Sequence, residues 1–190
     1  MQFLCPNGLI NGWSDWLEKE IENDGFCQAL RDAHIFEAVL MSQGWHVFRD
    51  IIALRYLIRR WSSEFHTFFF SWGETTATLE NVERLFLLPS MGRLNPTDLE
   101  LDREEAKIEE RLYKAFGGRA ASRTGQRARF SSWILAFKKL GSRAIGRVVL
   151  LAMWLSKCIF SCDPTQFIKP FTFRLAIKLS QGMSNRPRMY

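Results

Sequence analysis

The sequence predicts a mostly α-helical, multi-helix domain with one short β-hairpin or strand pair near residues 65–78. Three observations predict it. Apolar residues recur at three- and four-residue intervals over most of the chain. One aromatic stretch, Phe65 to Trp72, alternates instead and is interrupted by Gly73, with Thr75, Thr76 and Thr78 continuing the β preference. Helix signals punctuate the remainder: Thr78 opens, and Pro89, Gly92 and Gly117-Gly118 close. A length of 190 residues with 47% hydrophobic content, including 16 Phe and 7 Trp, suits one domain with a sizeable core.

Taken in order, Trp13, Trp16, Leu17 and Ile21 alternate with Asp15, Glu18, Lys19 and Glu22, an amphipathic helix after Asn11-Gly12 that Asn23-Asp24-Gly25 breaks. Phe26, Leu30, Ala33, Phe36, Val39 and Leu40 form a second helical stripe that ends near Gln43-Gly44. A third helix runs from about Trp45 to Trp61. Phe48, Ile51, Ile52, Tyr56 and Ile58 are expected inward, with Arg49, Asp50, Arg55, Arg59 and Arg60 near its polar side. Thr78 caps Leu79 to Leu88 by accepting from the amide of Glu80 or Asn81, and Val82, Leu85 and Phe86 make that helix's buried face.

Pro96-Thr97-Asp98 can open another helix, and Glu100 to Ala115 reads as a long polar one with a thin stripe of Leu101, Ala106, Ile108, Leu112 and Phe116. Gly118 to Gly125, small, polar and basic, reads as a linker. Trp133, Ile134 and Phe137 begin the next helix, and Ile145 to Phe160 is the most apolar. Cys162-Asp163-Pro164 makes a turn before Phe167 to Leu179, and Met183 to Tyr190 is expected to fray.

The longest apolar run, Val148 to Leu155, falls far short of the ~20 residues a membrane-crossing helix needs, so it reads as a core helix. Met1 to Ile10 lacks a secretory pattern, which makes an intracellular setting the expectation. Cys5, Cys27, Cys158 and Cys162 show no paired C-x-x-C spacing, and no His lies near Cys158 and Cys162, so free thiols are expected rather than a metal site. His34, His46 and His66 fall on separate elements. Glu64 and Glu74 flank the aromatic strand and can be pictured as paired carboxylates, but loop solvation accounts for them equally. Neither Ser62-Ser63 nor Ser131-Ser132 sits in a nucleophile turn, and Gly117-Gly118 lacks a following phosphate-binding Lys. Trp72, Phe68 and Phe70 offer faces for stacking on bases, although a Phe run beside a Trp is more often core. The expectation is a protein without catalytic residues, cofactor, metal or small-molecule substrate.

Charge supplies the one functional candidate that composition yields directly. Residues 1–110 hold 10 Lys/Arg against 19 Asp/Glu, a balance of −9, and residues 111–190 hold 16 against Asp163 alone, a balance of +15. From Arg111 to Arg147 there are ten basic residues and no acid. Arg119, Arg123, Arg127, Arg129, Lys138, Lys139, Arg143 and Arg147 are therefore the candidate contacts to a nucleic-acid backbone or an acidic protein partner. The bland reading weighs equally: a solvated face, or internal pairing with Glu100, Glu104, Glu105, Glu109 and Glu110.

The ordered set of motifs resembles one known family. Gly12-Trp13, Arg60-Trp61, Glu64-Phe65-His66-Thr67-Phe68, Trp72-Gly73-Glu74, Thr78-Leu79-Glu80-Asn81-Val82 and Leu88-Pro89 resemble the first half of a plant mobile domain, also called aminotransferase-like. Ser132-Trp133, Leu151 to Lys157 with Phe160, and Leu175 to Leu179 before Gly182 resemble its middle. Residues 12–182 are thereby identified as a partial plant mobile domain of the Maintenance of Meristems-like group, with 183–190 as a tail. The copy looks C-terminally truncated, because the family usually continues past the helix before Gly182, and it carries Asn81 where the family usually has an acid.

The resemblance implies a helical, intracellular, nuclear interaction domain, found in transposable elements and in host proteins linked to meristem maintenance, genome stability and transposon silencing. The family has no established enzymatic site, and no lysine here sits beside a phosphate-cradling turn as a pyridoxal cofactor requires. A protein partner is expected, nucleic acid is a candidate, and a membrane is not expected. The competing readings are a metal-dependent nucleic-acid-processing enzyme or its inactive remnant, and a fragment with no stable fold.

Overall fold

The computed structural model describes residues 12–44, 50–88, 99–117, 128–138, 142–161 and 167–182. The predicted Asp98 start, the 118–125 linker, the 162–164 turn and the 183–190 tail lie outside them. The described residues are mostly helical, as expected. α1 (Trp13–Ile21), α2 (Asp24–Asp32) and α3 (Phe36–Gly44) come first, and α4 (Ile51–Ile58) leads into β1 (Trp61–Ser62), β2 (Thr67–Phe70) and β3 (Gly73–Thr75). α5 (Leu79–Phe86), α6 (Arg103–Phe116), α7 (Phe130–Lys138), α8 (Arg143–Trp154) and α9 (Thr172–Ser180) follow.

The core is organised around α8. Every residue from Val148 to Leu155 is buried, and a helix that is apolar on all sides must be surrounded. α7 and α9 pack on it, and α9 also touches α6 and α2. Phe173 of α9 is the point where three helices meet. Trp133 of α7 stacks on it at 5.5 Å with ring planes 4° apart, and Tyr113 and Phe116 of α6 present their edges to it. Enclosing one such side chain contributes about 1.5–3 kcal/mol.

α8 ends in a wider π turn, Leu155–Ile159, that carries the polar Ser156 into the core. There its hydroxyl lies 3.2 Å from the Thr172 hydroxyl and accepts from the Lys169 amide at 3.1 Å, while Thr172 donates to the Lys169 carbonyl at 2.7 Å. Buried hydroxyls with partners fix the entry to α9 without the roughly 1–3 kcal/mol cost of an unpaired polar group.

The predicted second helix is two. His34 takes a left-handed φ of 56°; its amide donates to the Arg31 carbonyl, and the Ile35 amide reaches back to that of Leu30. Those two bonds form a Schellman cap, which closes α2 after Asp32 and starts α3 in a new direction. Asn23, expected only to break α1, also caps α2 by accepting from Phe26 N at 2.9 Å.

The β element is larger than a pair. Trp61, expected to close a helix, instead opens β1 and pairs with Phe68, while Phe68, Phe69 and Phe70 pair with Thr75, Glu74 and Gly73. Three of the residues expected inward on α4 are not: Ile52, Tyr56 and Ile58 are 68%, 62% and 60% exposed, whereas Phe48 and the side chain of Ile51 lie outside the described set. The same correction applies to α5, where Leu85 and Phe86 are exposed and Val82 is half-buried. In each case the helix has the apolar positions that the periodicity showed, but among the described residues no element of the helical core covers them. The α5 cap is as expected: the Thr78 hydroxyl accepts from Asn81 N at 3.2 Å, and Asn81 Oδ1 accepts from Thr78 N at 2.9 Å. Asn81 thus completes the capping box in place of an acid.

Candidate functional site

α6 turns two of its four glutamates inward. Asp102 caps it, accepting from Glu104 N and Glu105 N at 2.9 and 2.8 Å, and Glu105 returns the bond by accepting from Asp102 N at 2.7 Å. Gly117, at φ 108°, ends it in the left-handed conformation that glycine adopts without strain. Glu105, Glu109, Leu112 and Phe116, four, three and four apart, are its buried side. The sequence stripe placed Ala106 there, but Ala106 is exposed and the glutamates take the inward positions.

Two buried carboxylates demand compensation, and α9 supplies it. Lys178 Nζ lies 2.6 Å from Glu105 Oε2, and Arg174 Nε lies 2.9 Å from Glu109 Oε1. The rungs 105–178 and 109–174 run in opposite order, so the two helices are antiparallel. The hydrogen bond to Glu109 raises the Arg174 pKa further above its ordinary value.

With Glu105 and Glu109 turned in, Arg103, Lys107, Arg111 and Lys114 remain on the opposite side, spaced four, four and three apart and all exposed, together with the exposed Glu104 and Glu110. They span about 16 Å of helix. Glu104 lies 2.6 Å from Lys107, an exposed pair of the kind worth at most about 1 kcal/mol, so Lys107 is easily recruited elsewhere.

The basic residues singled out in the sequence are spread more widely. Arg129 is exposed, and its backbone bridges to Phe167; Arg143, also exposed, is the first residue of α8. Arg147 is engaged internally: its Nε lies 3.1 Å from Glu20 Oε2, and its guanidinium sits 5.4 Å from the Phe26 ring centroid, which fastens α8 to α1 and α2. Lys138 closes α7, but its side chain lies outside the described set, as do Arg119, Arg123, Arg127 and Lys139 altogether. The structure therefore gathers none of these into one described patch. Arg103 and Lys107 escape a reading based on local charge excess, because residues 100–110 hold six acids against these two bases. Internal pairing by Glu105 and Glu109 does occur, with α9 as the partner.

The aromatic strand is not the core it resembled in sequence. Trp72 is 71% exposed and stacks on Phe70 at 4.8 Å, with ring planes 9° apart. The Arg60 guanidinium lies 5.2 Å from the Phe70 centroid. Glu64 sits in the β1–β2 turn and Glu74 in β3, both exposed.

Among the described residues, no three His, Cys, Asp or Glu side chains converge in a way that could hold an ion. Cys27 and Cys158 carry thiols rather than a disulfide, and the Cys27 thiol donates to the Ile21 carbonyl at 2.9 Å; Cys5 and Cys162 lie outside. Lys157, beside the Phe130 ring at 5.8 Å, is the described lysine whose pKa shifts: burial pulls it below 10.5, opposed by the charge of Cys158. No helix among the described residues is long and apolar enough to cross a membrane.

The plant mobile domain family model matches residues 34–185. No curated protein and no solved structure matches the chain.

Proposed function

The chain belongs to the plant mobile domain family, a transposon-related group, and from that premise we propose a non-enzymatic interaction domain that acts in the nucleus by contacting a nucleic-acid backbone. The observation that carries the reading is the division of charge on α6. Its two inward acids are engaged by Lys178 and Arg174, which leaves four outer cations, Arg103, Lys107, Arg111 and Lys114, in excess of the two exposed acids Glu104 and Glu110. A net positive helix face suits the repeating negative charge of a phosphate chain, and such contacts give affinity without reading sequence. A host role in meristem maintenance, genome stability or transposon silencing is part of the same proposal and rests on the family resemblance.

The test is anisotropy of a fluorescent duplex and a single strand, each of arbitrary sequence, titrated with the 190-residue chain. The expected result is sequence-tolerant binding that falls steeply with added salt. The opposing reading, metal-dependent strand processing, predicts cleavage on adding Mg²⁺ or Mn²⁺ that disappears when Glu64 or Glu74 is changed to Gln. Cleavage of that kind overturns the proposal, as does salt-insensitive binding.

A further inference from the structure

We infer that one face of the three-stranded sheet stacks the unpaired bases of a single-stranded nucleic acid, with Trp72 as its outermost ring. The inference rests on the nucleic-acid reading above and names the form of nucleic acid that the chain holds.

The strand register divides the side chains between two faces. Residues paired across antiparallel strands point to the same side, and neighbours along a strand point to opposite sides. Trp61 pairs with Phe68, Phe68 with Thr75, and Phe70 with Gly73, so Trp61, Phe68, Phe70 and Thr75 share one face. Ser62, Thr67, Phe69 and Glu74 share the other, where Thr67 is buried. None of the strand residues on the Trp61 face is buried. Gly73 opposes Phe70 without a side chain, and the Trp72 ring lies flat on Phe70 instead, 4.8 Å away with planes 9° apart.

Ring geometry decides the class of ligand. Two parallel rings in contact leave no slot between them for an alkyl chain or a proline ring. What they present is the broad outer side of an exposed indole, and a planar ring meets such a surface best in an offset stack. Every nucleobase has a face of that kind. Trp61, also exposed, offers a second ring on the same side, 4.8 Å from Phe68 and tilted by 60°. Phe68 and Phe70, the rings these two indoles rest against, stand about 6.6 Å apart along β2. A duplex keeps its bases enclosed between its strands, so only an unpaired strand can use the platform.

Charge on this side has the sign that a phosphate needs. The Arg60 guanidinium stands 5.2 Å from the Phe70 centroid, and its Nη1 donates to the Phe69 carbonyl at 3.4 Å, which holds a cation at the border of the rings. Glu74, the acid of the three strands, belongs to the other face.

The test is anisotropy of two labelled single strands of equal length, one of thymidines and one abasic, titrated with the 190-residue chain at one salt concentration. Both strands carry the same phosphates, so the difference between them reads the bases alone. The unaltered chain is expected to bind the thymidine strand about tenfold more tightly. Trp72→Ala, with helical circular dichroism unchanged, is expected to bring the two affinities together, and Trp72→Phe to keep most of the gap. Equal affinities in the unaltered chain overturn the inference and leave the backbone reading standing, as does a gap that survives Trp72→Ala. Binding to neither strand overturns both.

Discussion

Lys178 Nζ lies 2.6 Å from the Glu105 carboxylate that also closes the N-terminal capping box of α6, so one buried acid both starts that helix and fastens it to α9. Breaking only the lysine leaves the carboxylate uncompensated, because Glu105 is 2% exposed. Lys178→Met is therefore expected to cost about 3 kcal/mol, and Glu105→Gln/Lys178→Met substantially less. Urea unfolding of the three proteins checks it. A double variant as unstable as the single one would show that packing, not charge, is what the lysine supplies.

Phe173 and Trp72 give opposite expectations for the same kind of truncation. Phe173, fully buried between Trp133, Tyr113 and Phe116, is expected to lose about 3–5 kcal/mol on change to Ala. Trp72→Ala is expected to leave the stability of the single chain within about 0.5 kcal/mol of the parent. The comparison is made by denaturant unfolding. Equal losses would place Trp72 in a core.

Gly182 has a φ of +82°, and a Cβ there would meet the Ala29 Cα at 3.2 Å, where the chain leaving α9 crosses α2. Gly182→Ala combines backbone strain with a clash against main chain that cannot swing aside, for a cost of about 1–3 kcal/mol. Chemical denaturation reads it directly, and an unchanged midpoint would mean α2 and the end of α9 are not in contact.

Lys157 gives a pH dependence with a definite sign. Its pKa is lowered in the folded protein, chiefly by burial, so the unfolded chain binds more protons between that lowered value and 10.5. Stability then rises with pH across that window, and the cost of the buried charge is present in full below it. Lys157→Met is expected to be more stable than the parent at neutral pH, with the gap narrowing as pH approaches 10.5. A gap that stays constant with pH would contradict this.

What could be read from the chain depended on how local the cause was. α8 was legible because its apolar run needs no partner to identify it as enclosed, and α5 because its cap lies within Thr78 to Asn81. The α2–α3 break was not, since its left-handed position is His34 and a sequence signal for such a cap is ordinarily Gly. The orientation of α4 was hidden for another reason: periodicity shows that an apolar side exists, not that a neighbour covers it. The α6 surface depends on pairing across more than 60 residues, because only Arg174 and Lys178, themselves four apart on α9, reveal that Glu105 and Glu109 face inward.

The inward pairing of Glu105 and Glu109 leaves the outer α6 cations available to phosphates, and on this the functional reading depends. The most direct measurement is the slope of log affinity against log salt for a labelled duplex, comparing the parent with Arg103→Ala/Lys107→Ala/Arg111→Ala/Lys114→Ala. All four side chains are exposed, so folding is expected to survive. The predicted result is weaker binding to every sequence and a slope shallower by about 0.9 for each phosphate that is no longer neutralised, up to four. Binding with an unchanged slope in a folded variant would contradict it.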